Sequence, residues 1–561
     1  MINNKSISSS GKLMPALVVA LIILVIAGLS MQSCIKKEDF DFDKLAGFEY
    51  SPNFAAPLIH SKLTLRDILS DFDTNHLFVE DVTHFLYLIY NSTVFSQRAD
   101  EIISIPDQTV NTVWNIPGPI PVGNSFVFSY SSSYNFTSAF NERFDSIVMK
   151  SGYINYSISA DLNHDAQILV TIPGAKKNGQ VFSKTISYDY QGSVPVNIND
   201  TFNLDGYTLE FGSNNQIVID YEVSGPGDLN PDMSPHNVSL GESFLSLKFH
   251  KIFGYIGQHT FIFNQDSVYL DIFKNNIYGS MYFEDPRLNI YVNNAYGMPL
   301  SVTIDLLRAE SAVNPPFLVD VTGTGVPDIL NPWIIAYPAT SQLGQSVQSS
   351  LQLNNGNTNT GFSGIRDAIN ISPHWVSYHV NSTSNPAGYP PPDQNFVIDT
   401  SRFSIDAEVE LPMWGRAWDF RLQDTLDFSF GDDVDILEWV LFKINTDNGF
   451  PVNASMQLYF ADSAFNKIDS LLVPIQQVII SGVVGPAPDY KVIAPTHKLT
   501  TSKIEKNRIM NLKNVEKLLI YAKLETVNNG ATIIKMYSDY FLDVKIGLQA
   551  QIKTTVYPSN H

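Results

Sequence analysis

Eleven histidines in a chain of 561 residues are the first side chains to weigh for chemistry. None stands in an HExxH pattern. His374 and His379 are the nearest pair in sequence. In a strand, a spacing of five puts them on opposite faces, where they cannot share one metal. His250 and His259 flank Gly254-Tyr255-Ile256-Gly257 and are expected to meet across a hairpin there, as structural partners rather than metal ligands. Trp414 and Trp418 lie four apart, on one face of a strand, with Gly415 between them. Such a pair either makes an aromatic platform for a sugar or packs as core, and core is the commoner use of tryptophan. Acids are plentiful, but no local pattern selects the two carboxylates that glycoside hydrolysis needs. No GxSxG turn, phosphate loop or dinucleotide fingerprint occurs. Accordingly no catalytic residue, metal site or cofactor is assigned, and the expectation is a protein that is not an enzyme.

The remaining reactive side chain is Cys34, the only cysteine. Lys5 and Lys12 form a basic start, and Ala16 to Leu29 is an uncharged, mostly aliphatic run. That length suits the apolar core of an export signal and is short for a membrane span of about 20 residues. An uncleaved signal-anchor helix is the alternative. Leu29-Ser30-Met31-Gln32-Ser33-Cys34 resembles a lipobox, with Ser33 before the cysteine and Met31 where leucine is usual. The resemblance implies cleavage before Cys34, which is diacylated and becomes the mature N-terminus, and two acyl chains anchor stably where one is marginal. Lys36, Lys37, Glu38 and Asp39 resemble the surface-export signal of Bacteroidetes-type outer-membrane lipoproteins. Asp-Ser/Thr-apolar triplets at Ser146, Ser267, Thr425, Ser463 and Ser470 resemble the O-glycosylation sites of exported proteins of that type.

Composition fits a body of packed β-structure. Apolar residues make up 44%, aromatics 12% and charged residues only 16%, and the net charge is −21. A chain this acidic is a poor partner for nucleic acid. The apolar period is two along most of the chain. Examples are His84–Tyr90, Val127–Tyr130, Ile154–Ile158, Ile168–Ile172, Gln216–Glu222, His374–Val380 and Phe403–Leu411. Gly, Pro, Asn and Asp separate these runs about every ten residues, as in antiparallel sandwiches and meanders. Short helices are expected near Thr64–Phe72, Ser363–Asn370 and Lys503–Val515.

One motif recurs. Residues 293–306 and 445–458 share Gly297 with Gly449, Pro299 with Pro451, and the alternating apolar positions that follow. Each is preceded by a strand ending in an asparagine-rich stretch. Glycine admits positive φ and proline withholds a ladder donor, so each copy is expected to be a hairpin. The pattern weakly resembles the hairpins of the LEA-2/WHy sandwich family, which implies a β-sandwich able to take an apolar ligand. Asn163-His164-Asp165 and Asn528-Asn529-Gly530 are looser copies.

The expected fold is therefore all-β: several antiparallel β-sandwich or meander domains with few short helices, after an N-terminal signal helix. The expected segments are a signal peptide at 1–33, an acidic extended tether at 34–60, and β domains at 61–240, 241–398 and 399–561. The expected function is a non-enzymatic binding, adhesion or accessory module, held in the outer membrane by acyl chains and facing the cell exterior, with the periplasmic face as alternative. Its partners would be an envelope complex or a surface ligand. A carrier of lipid or another hydrophobic ligand is the second reading, which a continuous apolar groove would favour and solid cores would oppose. A glycan-binding or glycan-hydrolysing surface protein is the third.

Overall fold

The computed structural model describes residues 48–65, 78–120, 123, 125–226, 234–262, 266–270, 280–312, 315–429 and 432–556. Cys34 and Lys36–Asp39 lie outside them, as does most of the helix expected at Thr64–Phe72. Among the described residues the chain is all-β, in antiparallel sheets, with three short α-helices at Ala99–Ile102, Ile365–Asn370 and Lys506–Asn511. The last two fall where the sequence places helices.

A first sandwich closes around a core of Val440, Phe442, Ile444, Leu458, Phe460, Ile504 and Leu472. One sheet runs in the order Asn53–Thr64, Phe541–Ile552, Leu437–Asn448, Thr496–Glu505. The other runs Phe420–Asp427, Lys517–Thr526, Val452–Ala461, and Val452–Ala461 pairs further with both Lys467–Ser470 and Gln476–Ile479. Its helix is Lys506–Asn511.

A second sandwich repeats this topology, with Phe78–Glu80 added at the edge beside Leu86–Arg98 and one edge strand of its other sheet split in two. Its first sheet runs Leu86–Arg98, Arg402–Pro412, Arg287–Asn294, Val347–Leu353. Its second joins Asp266–Tyr269 and Thr260–Ile262 to Pro373–Ser384, then Leu300–Ser311, which pairs further with Leu318–Asp320 and Trp333–Ile335. Its helix is Ile365–Asn370. The strands of each sandwich also follow one another in the same chain order. The second sandwich interrupts the sequence of the first after its opening strand, Asn53–Thr64.

The recurring Gly-x-Pro motif is the same element in both sandwiches, and it is not a hairpin. The strands on either side of it lie in different sheets: Arg287–Asn294 pairs with Val347–Leu353 and Arg402–Pro412, never with Leu300–Ser311. Leu437–Asn448 likewise avoids Val452–Ala461. The motif is an arch that carries the chain across the core. A buried asparagine at the strand end replaces the lost ladder bonds. Asn448 accepts from the Phe450 N–H at 2.9 Å and donates to the carbonyls of Val452 at 3.0 Å and Ile480 at 2.8 Å. Asn294 accepts from the Tyr296 N–H at 2.9 Å and donates to the Ala336 carbonyl at 3.1 Å. Each arch glycine donates its N–H to a phenylalanine carbonyl, Gly297 to Phe396 and Gly449 to Phe541, both at 2.8 Å.

The largest sheet is inserted in turn after the opening strand of the second sandwich. Its ten strands are built around the pair Arg143–Ala160 and His236–Tyr255, of 18 and 20 residues. Burial alternates along both strands, as the period of two requires.

These pairings redraw the expected segments. The chain forms two compact units, each gathered from separated stretches. One takes the described residues of Met1–Leu88, Asn276–Glu284 and Pro412–His561. The other takes those of Ile89–Asn275 and Asp285–Leu411. The boundary expected at 240 falls inside the strand His236–Tyr255. The end of the expected tether, 48–60, is strand: Phe48–Tyr50 pairs with Thr554–Val556, and Asn53–Thr64 pairs with Phe541–Ile552. Pro57 misled because proline suits an extended linker, but it is also tolerated on an edge strand at an irregularity. The register shifts at Pro57/Ile59.

Candidate functional site

The two sandwiches share a topology but not an interior. The second encloses a cavity of about 100 Å³ lined almost wholly by apolar side chains. Alternation supplies the walls. Leu288, Ile290 and Val292 face Val302, Ile304 and Leu307 across the gap, and the helix Ile365–Asn370 adds Ile365, Ala368 and Ile369. Among the described residues no charged side chain lines it. Its tyrosines turn their hydroxyls to backbone: Tyr90 donates to the Tyr269 carbonyl and Tyr378 to the Val94 carbonyl, each at 3.4 Å. Burial, and then the Asp266 charge, raise the Tyr378 phenol above its ordinary value, so it stays protonated.

The strand pairings show how the hollow arises. Counting back from the arch asparagines, Leu288 corresponds to Phe442 and Ile290 to Ile444. Leu288 is paired with Val409 and Ile290 with Ala407, whereas Phe442 is paired with Leu548 and Ile444 with Ile546. On the facing sheet, Ala309 beside Val376 corresponds to Phe460 beside Leu518. At five of these six positions the first sandwich carries the larger side chain, and at the sixth both carry isoleucine. Its core is filled by Phe442 and Phe460; the second holds Leu288 and Ala309 there and is hollow.

The histidines do not gather. The strand His236–Tyr255 ends before His259, and Thr260–Ile262 pairs with Pro373–Ser384 instead, so the expected hairpin does not form. His250 Nδ1 lies 3.1 Å from Asp399, while His259 is buried against Glu142 at 3.4 Å and stacked on Phe261. Burial pushes the Glu142 carboxyl up, but hydrogen bonds from His259 and from the Phe140 N–H bring it below its ordinary value. His379 faces Asp305, and His374 meets the Tyr269 ring edge-on.

Trp414 and Trp418 share a strand face as expected and are both half-buried. Lys535 Nζ stands 5.1 Å over Trp414, and the Arg416 guanidinium 5.3 Å from Trp418 and 5.1 Å from Tyr282. The result is a ladder of cations and rings rather than two bare platforms. Of the five hydroxyl triplets, Ser267, Thr425 and Ser463 are exposed, while Ser146 and Ser470 are half-buried within strands. Asp462 holds the Ser463 turn by accepting from the Ala464 and Asn466 N–H groups. Asp469, beside Ser470, is engaged by Arg508 at 2.9 Å.

The sequence reading passed over Glu242. The stripe Val238, Leu240, Glu242, Phe244 faces inward, and its one acid is 1% exposed. An acid in the apolar phase of a strand was the available signal.

The chain matches no family model and no curated protein sequence. Among solved structures, a protein of Parabacteroides distasonis ATCC 8503 described as secreted superposes at 9% identity with a TM-score of 0.31, over 54% of this chain and 89% of that one. A chain of Sulfolobus turreted icosahedral virus gives 10% identity and a TM-score of 0.10, over 89% and 97%. Scores this low carry no argument about fold or function.

Proposed function

We propose that this is a non-enzymatic, lipid-anchored protein of the cell envelope whose second sandwich binds a small, neutral apolar ligand. The observation that carries the binding is the cavity itself, seen beside its filled counterpart. Leaving about 100 Å³ empty costs about 2 kcal/mol at the usual penalty per unit of cavity volume. The first sandwich shows that this topology can be packed solid. A ligand without charge recovers the lost contacts, and walls that are almost wholly apolar, with both tyrosine hydroxyls turned to backbone, keep water from doing so. Dry cavities of this order accept ligands the size of benzene. The envelope location rests on Cys34 and the residues around it.

Plugging the cavity with residues of the packed sandwich is the direct test. Ala309→Phe and Ala407→Ile place there what Phe460 and Ile546 place in the first sandwich. Saturation-transfer NMR with benzene and short alkylbenzenes should show saturable binding to the wild type and none to the double variant, with thermal unfolding of the variant unchanged or raised. Equal binding to both proteins, or none to the wild type, would remove the cavity as the site.

A further inference from the structure

Among the described residues of the ten-stranded sheet, Glu242 Oε2, the hydroxyls of Tyr134 and Tyr156, and Trp114 Nε1 are buried without a hydrogen-bond partner. All four side chains are buried or nearly so, among Phe244, Leu240, Ile158 and Ile219. Glu242 sits directly opposite Tyr156 on the neighbouring strand and opposite Val110 on its other side. From across the core Tyr221 donates its hydroxyl to Glu242 Oε1 at 2.5 Å. Tyr134 packs on Phe244, two residues along the Glu242 strand, and Trp114 and Tyr130 flank the Tyr221 ring. Among the described residues, the titratable groups facing Glu242 are therefore phenols. Tyr221 is the one described side chain that eases the carboxyl's charge.

We propose that Glu242 with Tyr134, Tyr156 and Tyr221 forms an internal proton-binding site buried in the core of the ten-stranded sheet. Burial, and then the charge of Glu242, hold all three phenols protonated well above their ordinary range. They are permanent donors around one acceptor that alone titrates. Protonated, Glu242 is neutral: Oε1 keeps the Tyr221 hydrogen bond and the acid's own O–H donates to a phenol oxygen. As the pH rises it releases its proton to solvent, and the carboxylate accepts hydrogen bonds from the two phenols left free. Burial raises the Glu242 carboxyl, against the Tyr221 hydrogen bond, to about 7. The geometry supports the same switch independently, because a carboxylate left with one donor and a free oxygen in an apolar core is the costlier state.

Infrared spectroscopy reads this directly. In 13C-glutamate-labelled protein, a protonated carboxyl band should persist above the range in which ordinary glutamates lose their proton, vanish with a midpoint near pH 7, and be absent from Glu242→Gln over that same interval. Tyr134→Phe and Tyr156→Phe remove donors to the charged form, so each should move that midpoint upward. Unfolding provides a second readout. A raised carboxyl adds stability that is complete below its unfolded value of 4.5 and is lost as the pH rises through 7. The wild-type midpoint should therefore fall across that window and the Glu242→Gln midpoint should not. If Glu242→Gln does not fold, the labelled wild type and the two phenylalanine variants still decide. A band midpoint near 4.5, or one that neither tyrosine variant moves, would overturn the proposal.

Discussion

Asp399 is 2% exposed yet stays ionised. Burial pushes its carboxyl up, but hydrogen bonds from Lys150 at 2.5 Å and His250 at 3.1 Å, with their charges, hold it below its ordinary value. The Thr400 N–H adds a third bond at 3.0 Å. Lys150 and His250 remain half in solvent, so their loss of a partner is partly made good by water. Asp399→Asn should therefore cost about 1–2 kcal/mol at pH 7, rather than the larger penalty of a fully buried pair. A depressed carboxyl contributes stability above its unfolded value of 3.8, lost as the pH falls through its folded value. In urea unfolding the variant's deficit should shrink between pH 5 and about pH 3; a deficit constant over that range would contradict the ionised assignment. This pairing was not legible in the sequence. His250 and Asp399 are 149 residues apart, and the nearer partner, His259, is taken by Glu142.

At the scale of elements, the arches show how far a local motif reaches. Gly297, Gly449, Pro299 and Pro451 did announce a repeated break between strands. They did not announce whether the returning strand would pair with the one just left. That depends on the asparagine that substitutes for the ladder and on the neighbouring strand that receives the glycine N–H. The two glycines differ in their surroundings. A Cβ on Gly297 would lie 2.2 Å from the buried Phe396 ring, whereas one on Gly449 would meet Phe541 at 3.2 Å. Gly297→Ala should thus destabilise by about 2–3 kcal/mol, the range for overpacking a rigid core, and Gly449→Ala by clearly less. Guanidinium unfolding of the two variants checks this. Equal losses would mean that the ring does not set the requirement for glycine.

Over the whole molecule, two sandwiches of one topology are threaded through each other in sequence. Asn53 finds its partner at Gln551. Loop-closure entropy grows only slowly with length, so an insertion of this size is thermodynamically tolerable. Where this body resides is a separate question, and Cys34 carries it. The Cys34→Ser variant should lose lipid labelling and processing at that site and leave the membrane fraction. A variant that is still lipid-labelled and mature on fractionation would refute the anchor, while leaving the cavity and Glu242 untouched.

The sequence by itself determined the all-β class, through runs of apolar period two that recur between His84 and Leu411 and beyond. It also determined the two later helices, the repeat and the isolation of Cys34. These are local properties, written in residues within about ten positions of one another. Only the tertiary structure decided that residues 48–64 are strands, that the repeat is an arch, and that one sandwich is hollow. Each depends on a partner contributed from far along the chain. Ala309 reads as an ordinary strand residue until Val376 and Ala407 stand around it, and the volume they leave is a property of the packed set.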